Sequence, residues 1–296
     1  MKLDISKFEV GTPQRSEHLT LFPLIGKSNS IGCSTLREGL SNESCEVIET
    51  QQVSNLLISN KGYKKVIVML GEVLKGGWQN RVTKKQVLID KDSKETIPVH
   101  CVEQRRWSTS GEGTTLYGVH GRMSAGSTFA YCSSSSVDIM YATSQSQTWS
   151  NTSEYLSKSG ISSTTEDLSE YISKKSKEVD EEIKHFKYVP KQLGVVLSYK
   201  SSGKEMWIIE AYCSSGLLRS RFGEIVKSVL LEEITQQEEK IEGLTIAGFL
   251  KKIHTGDFRE VGKIGIGTYF EAKSNGFNGA MTMYNDKLVA VQCSLS

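Results

Sequence analysis

Gly71-Glu72-Val73-Leu74-Lys75-Gly76-Gly77-Trp78-Gln79-Asn80-Arg81 and, further on, Ile97-Pro98-Val99-His100-Cys101-Val102-Glu103-Gln104-Arg105-Arg106-Trp107 are the two halves of the stretch on which the reading of this chain turns. The run that enters it, Val66-Ile67-Val68-Met69-Leu70, is apolar on both faces, which predicts a central buried strand. Gln86 to Asp90 and Thr96 to Glu103 predict two more strands, joined by the charged turn Lys91-Asp92-Ser93-Lys94-Glu95. Side chains alternate across a strand, so Val99, Cys101 and Glu103 share one face while His100 and Val102 share the other. His100 is therefore not placed to act as a base for Cys101.

Working outward toward the N-terminus, Asn60-Lys61-Gly62 has the chemistry of a turn, and predicts a hairpin between an extended Cys45 to Ser59 segment and the Val66 run. A short helix is expected from Thr35 to Leu40. Leu19 to Leu24 reads as a first strand, with Pro23 marking an edge or an irregular end.

Toward the C-terminus, residues 108–163 are rich in serine, threonine and glycine, and read as a loop over the site or a connection between lobes. A helix is expected inside this segment, from Val137 to Trp149. Ser163-Thr164-Thr165-Glu166 has capping-box spacing, and Leu168, Ile172, Val179, Ile183 and Phe186 recur at helical intervals up to the stop at Val189-Pro190. The charged face of that helix reads as a solvated surface.

A hairpin follows, Leu193 to Tyr199 and Met206 to Tyr212, then an amphipathic helix marked by Leu218, Phe222, Ile225, Val226 and Val229. A helix over Leu244 to Ile253 and strands near Val261 to Ala272, Ala280 to Tyr284 and Leu288 to Cys293 close the chain. Hairpin-linked strands with helices concentrated in the second half predict an α+β fold with a largely antiparallel sheet. The chain is expected to be a single domain, or two packed lobes of about 1–107 and 190–296 joined by 108–189.

Composition narrows the function classes. The chain has 296 residues, enough for a sizeable core, and its 36 basic and 34 acidic residues leave a net charge of +2. That balance gives no strong signal for nucleic acid. No apolar run reaches the roughly 18 residues of a spanning helix, and the N-terminus lacks a signal-peptide core, so no membrane partner and a cytoplasmic location are expected. Cys33, Cys45, Cys101, Cys132, Cys213 and Cys293 include no CxxC pair, which argues against a zinc knuckle or a disulfide framework.

The quoted stretch is also where chemistry concentrates. Gln79 and Asn80 can donate and accept at once, Arg81 and Arg106 can fork onto a phosphate or carboxylate, and Trp107 can stack on a base or sugar. Glu72 and Glu103 are the acid–base candidates. Cys101 is a candidate nucleophile if a nearby arginine activates its thiolate. The alternative is structural: ion pairing of Glu72 with Arg106, carboxamides satisfying turn backbone, and a buried inert thiol. Gly262-Lys263-Ile264-Gly265-Ile266-Gly267 matches no phosphate-loop pattern and reads as an alternating strand whose glycines face a crowded neighbour.

Gly71-Glu72 through Gln79-Asn80-Arg81, Ile97-Pro98-Val99, Cys101-Val102-Glu103 and Arg106-Trp107 resemble the signature of a poorly characterised family, the ADP-ribosylglycohydrolase and rhodanese-phosphatase-superfamily-associated domain. Leu19 to Leu24, Gln192 to Val196 and Val261 to Gly267 are similar to other parts of it. The resemblance places the family motif on Glu72, Gln79, Asn80, Arg81, Cys101, Glu103, Arg106 and Trp107. Trp78 and His100 stand where it implies smaller residues, and Val291-Gln292 where it implies a histidine. It implies a small anionic or nucleotide-like ligand, related to ADP-ribose by association, and names no cofactor. Two other readings stay open: a non-enzymatic module with a protein partner, and a thiol-dependent hydrolase working through Cys101.

Overall fold

A computed structural model describes residues 3–29, 31–50, 52–106, 130–134, 136–201, 203–232, 234–235 and 244–296. Trp107, the 108–129 part of the serine-rich segment and the polar stretch from Gln236 to Lys240 lie outside the described residues. The fold is α+β, with antiparallel strand pairs and several helices in the second half. It divides into two compact units, one of 1–33 with 179–296 and one of 34–178. The N-terminal residues fold with the C-terminal unit because Leu19–Ile25 pairs in antiparallel register with Gln192–Ser201, Phe22 opposite Val196. No helix among the described residues is long and apolar enough to cross a membrane.

The unit of 1–33 and 179–296 is built on a ten-stranded sheet. Its main path runs Glu9–Val10, Leu19–Ile25, Gln192–Ser201, Lys204–Tyr212, Lys287–Leu295, Phe277–Tyr284, Gly267–Ser274, Arg259–Ile264. Alternation along these strands sorts side chains onto two faces. Val196, Trp207, Ile209, Ala211, Met281, Val291 and Cys293 form one apolar face, packed with Phe249 and Ile253 of the Ile246–Thr255 helix. Burying each large apolar side chain of this kind contributes about 1.5–3 kcal/mol. The Ser215–Leu230 helix packs against Gln192–Ser201 and Lys204–Tyr212. Its Arg221 reaches Glu210, whose neighbours Ile209 and Ala211 belong to the other face. Ser214 starts that helix by accepting the Leu217 N–H.

The Gly262 to Gly267 segment departs from the single strand expected. Arg259–Ile264 turns back at Gly265, φ 62°, into Gly267–Ser274. Gly262 has φ 139° at a register shift and no atom near its added Cβ, so the glycine serves backbone conformation in a bulge and faces no crowded neighbour.

The unit of 34–178 holds a six-stranded sheet in the order Ala130–Ser134, Glu72–Lys75, Arg81–Thr83, Ser93–Cys101, Asn55–Asn60, Cys45–Glu49. A three-stranded sheet places Lys65–Val68 between Val87–Ile89 and Cys33–Thr35, the central buried position its apolar run predicts. The hairpin expected at Asn60-Lys61-Gly62 does not form, because the strands on either side of it enter different sheets. The Asn60 carboxamide donates to the carbonyls of Lys64 (2.8 Å) and Asp90 (2.7 Å), tying the turn to the next segment. The Leu36–Ser41 helix has a full capping box between Thr35 and Glu38. The helix expected over Val137 to Trp149 is two, Val137–Met140 and Gln145–Lys158, since Ser144 caps the second by accepting from Gln147 N–H. The Leu168–Ile183 helix is present, but the side chain that caps its first turn is Asp167 rather than Ser163, with Asp167 Oδ1 accepting the Ser169 N–H at 2.8 Å.

Candidate functional site

The Glu72 to Arg106 window folds into the middle of the six-stranded sheet of the 34–178 unit. Gly76 and Gly77, at φ 137° and 58°, make the turn between Glu72–Lys75 and Arg81–Thr83, a conformation closed to most other residues. The turn brings Gln79, Asn80 and Arg81 under the loop that follows Cys101.

Asn80 is the hub. Its Oδ1 accepts from Gly76 N (2.8 Å) and Arg106 Nη2 (3.4 Å), and its Nδ2 donates to Asp167 Oδ1 (2.8 Å) and Ser169 Oγ (3.3 Å). Its backbone N–H reaches Glu103 Oε2 at 3.1 Å. Arg106 forks onto Glu103 through Nε and Nη2, both at 2.7 Å, and its Nη1 donates to Gly77 O at 2.8 Å. Gln79 Nε2 donates to the Glu103 carbonyl at 2.9 Å. Charge-assisted and bidentate bonds of this kind are the strong ones, and together they lock the loop geometry.

Glu72 bonds to the neighbouring chain turn and strand. Its carboxylate accepts the Met69 N–H at 3.2 Å, and its backbone N–H donates to Thr83 Oγ1 at 2.8 Å. Arg81 is fully buried against Glu49, Nη2 to Oε1 at 3.7 Å, with Nη1 on the Gln79 carbonyl at 2.6 Å. Burial pushes the Glu49 carboxyl above its usual range, opposed by the charge of Arg81. Arg81 Nε and Nη2, Gln79 Oε1 and Glu49 Oε1 are buried without a hydrogen-bond partner among the described residues.

Cys101 is buried, and its backbone N–H and carbonyl both pair with the Gln145 carboxamide at 2.8 Å. Burial pushes its thiol up to about 11, with Arg81 offsetting only part of that, so the group stays a thiol at neutral pH. His100 points away, toward Thr148 Oγ1 at 2.8 Å, as the alternation of the strand requires. The structure thus joins Gln79, Asn80, Arg106 and Glu103 by hydrogen bonds, sets Arg81 beside Gln79 and opposite Cys101 in strand register, and engages the Glu72 carboxylate with the Met69 N–H.

Lys84 sits close to His100. Its ammonium donates to the carbonyls of Ile139 (2.9 Å) and Met140 (2.6 Å) at the end of Val137–Met140, while burial pushes its pKa down from 10.5 to about 7. Between those two pH values the unfolded chain holds a proton that the folded chain lacks. Stability should therefore rise as pH climbs from about 7 to 10.5. Lys84→Met should flatten that rise in a urea-melt series, and an unchanged slope would show that Lys84 does not supply it.

Asp167, Ser169, Glu49 and Gln145 complete the window and were not anticipated from sequence, since each joins it from a distant segment. A second buried polar group, also not anticipated, lies in the unit of 1–33 and 179–296. Arg221 Nε contacts Glu210 Oε1 (3.2 Å) and Tyr212 OH (2.9 Å), Tyr212 OH donates to Glu210, and Gln292 Nε2 donates to Glu210 Oε2 at 2.9 Å. Its signals were a lone carboxylate in the apolar run Met206 to Tyr212 and an arginine on the apolar side of the Leu218 to Val229 helix. Gln292 supplies an N–H donor where the resemblance implies a histidine.

The window, the 192–201 hairpin strand and the closing strands all fall inside a single family match. The model of the ARG and Rhodanese-Phosphatase-superfamily-associated Protein domain (ARPP-1) covers residues 7–294. The chain belongs to the ARPP-1 family. No curated protein and no solved structure matches the chain. Membership in ARPP-1 therefore brings an association with ARG and the rhodanese-phosphatase superfamily, without a ligand or an activity attached.

Proposed function

We propose that this ARPP-1 protein is a cytoplasmic binding protein for a small phosphorylated or nucleotide-like ligand, held at the Arg106 end of the window. The observation that carries the reading is unspent polar capacity at the buried end of the network. Arg81 Nε and Nη2 and Gln79 Oε1 are buried without hydrogen-bond partners, next to an Arg106 side chain that is 18% exposed. Buried polar groups are nearly always satisfied, so groups left open mark a place where a ligand or ordered water completes the set. Guanidinium groups suit phosphate or carboxylate oxygens, and Gln79 Oε1 suits a hydroxyl or amine. The ADP-ribose connection rests on the resemblance drawn from the sequence alone.

Binding is favoured over catalysis through Cys101, because that thiol is buried and protonated. Glu103 accepts from Arg106 and Asn80, which fits an orienting role better than proton transfer.

Titrating the protein with ADP-ribose, NAD, nucleoside phosphates and sugar phosphates, with melting temperature as a parallel readout, tests this. A ligand at 100 times its Kd should stabilise the native state by about 2.7 kcal/mol. Arg106→Lys keeps a cation beside Glu103 but loses the fork, and should weaken binding. Arg105→Ala removes an exposed neighbour paired with Glu166 and should leave binding unchanged. No binding in the wild type, or equal loss in both variants, would remove the window as the site.

A further inference from the structure

The unit of 1–33 and 179–296 contains a cavity of about 830 Å³ far from the window in sequence. That volume lies within the usual span for small-molecule sites, which are mostly apolar with a few polar groups that fix orientation. Leu3, Phe8, Leu193, Met283 and Leu288 give it apolar walls. Lys7, Lys27 and Lys287 line it from three separate segments. An adjoining hollow of about 730 Å³ shares Lys7, Phe8, Lys27 and Ser28 and adds Lys191. The two hollows thus share part of their lining and form one surface on which apolar side chains and lysines adjoin.

The charges on this surface do not cancel. Asp4, Glu9 and Asp286 line it beside the four lysines, which leaves one cation in excess. Asp4 is already engaged by Ser6 N–H at 3.1 Å and by Lys7 at 3.4 Å. Lys27, Lys191 and Lys287 have no carboxylate partner among the described residues. A cation without a carboxylate partner in the wall of a partly apolar hollow attracts an anion whose remaining surface is apolar.

We propose that the two adjoining hollows together bind an amphiphilic anion, with its apolar body on Leu193, Phe8, Met283 and Leu288 and its single acidic head group drawn to Lys27, which lines both hollows, and to Lys191 and Lys287 on either side. The site is independent of the Arg106 window and of the ligand proposed there. A carboxylate head and a phosphate head share this chemistry, and the experiment separates them.

The test is isothermal titration of the whole chain with decanoate and with decyl phosphate, both below their micelle concentrations, beside inorganic phosphate and decanol. The Lys27→Glu/Lys287→Glu double variant should weaken binding by about tenfold or more, while Lys204→Glu, an exposed lysine outside the cavity, should change it less than about twofold. Since the substituted lysines are exposed, circular dichroism melts should stay near wild type. Binding by either amphiphile with that variant pattern supports the site, and the better of the two identifies the head group. No binding of either, equal binding of decanol or of inorganic phosphate, or the same loss in Lys204→Glu would overturn it.

Discussion

Arg221→Ala should cost about 3–5 kcal/mol of stability, the usual penalty for leaving the other member of a buried ion pair uncompensated. Arg221 is fully buried and Glu210 is 5% exposed, so water cannot replace the lost guanidinium. Alanine is the best helix former, so the loss cannot be assigned to helix propensity in Ser215–Leu230. Tyr212 and Gln292 would still hydrogen-bond Glu210, but neither brings a positive charge. At the size of this unit the loss corresponds to a fall in melting temperature of roughly 10 °C. Arg221→Lys keeps the charge without the planar fork and should recover part of the loss. Thermal and urea melts of the two variants measure this directly. A cost below about 1 kcal/mol for Arg221→Ala would mean that Glu210 is not held as a desolvated carboxylate.

How much of this was legible in the sequence depends on whether the partner of a residue is near it in the chain. Lys65–Val68, the Thr35 helix start and the Gln192–Tyr212 hairpin follow from local pattern, because alternation, capping and turn chemistry act over a few residues. The Asn60-Lys61-Gly62 turn misled for the converse reason. Its local chemistry is that of a hairpin, while the pairing of Asn55–Asn60 with Ser93–Cys101 is decided by strands farther along the chain. The site divides in the same way. Glu103 with Arg106 lies three residues apart and was visible as a cluster, whereas Asn80 with Asp167 spans 87 residues and was not. Glu210 and Arg221 were each visible as a polar residue in an apolar pattern, but only the sheet register and the overlying helix show that they meet.

The pair at the bottom of the window separates a structural role from a binding role. Arg81→Met alone should cost about 3–5 kcal/mol, because it strands the Glu49 carboxylate in a buried position. Arg81→Met with Glu49→Gln removes both charges and keeps an acceptor for the Trp78 N–H that now bonds Glu49 at 3.2 Å, so it should lie within about 1 kcal/mol of wild type. The single variant should also respond to pH. Burial already raises the Glu49 pKa above 4.5, and loss of Arg81 raises it further. The folded variant then keeps a proton that the unfolded chain releases as pH rises from about 4.5, so its deficit should be small near that pH and grow toward neutrality. If the double variant is as unstable as the single, the charge is not the cause and the loss belongs to packing of the arginine stem. If the double variant is restored in stability and still binds the phosphorylated ligand, Arg81 is part of the frame and not of the site. If it is restored and binding is gone, the unpartnered N–H groups of Arg81 are what the ligand uses, and the instability of the charged pair is retained for that contact.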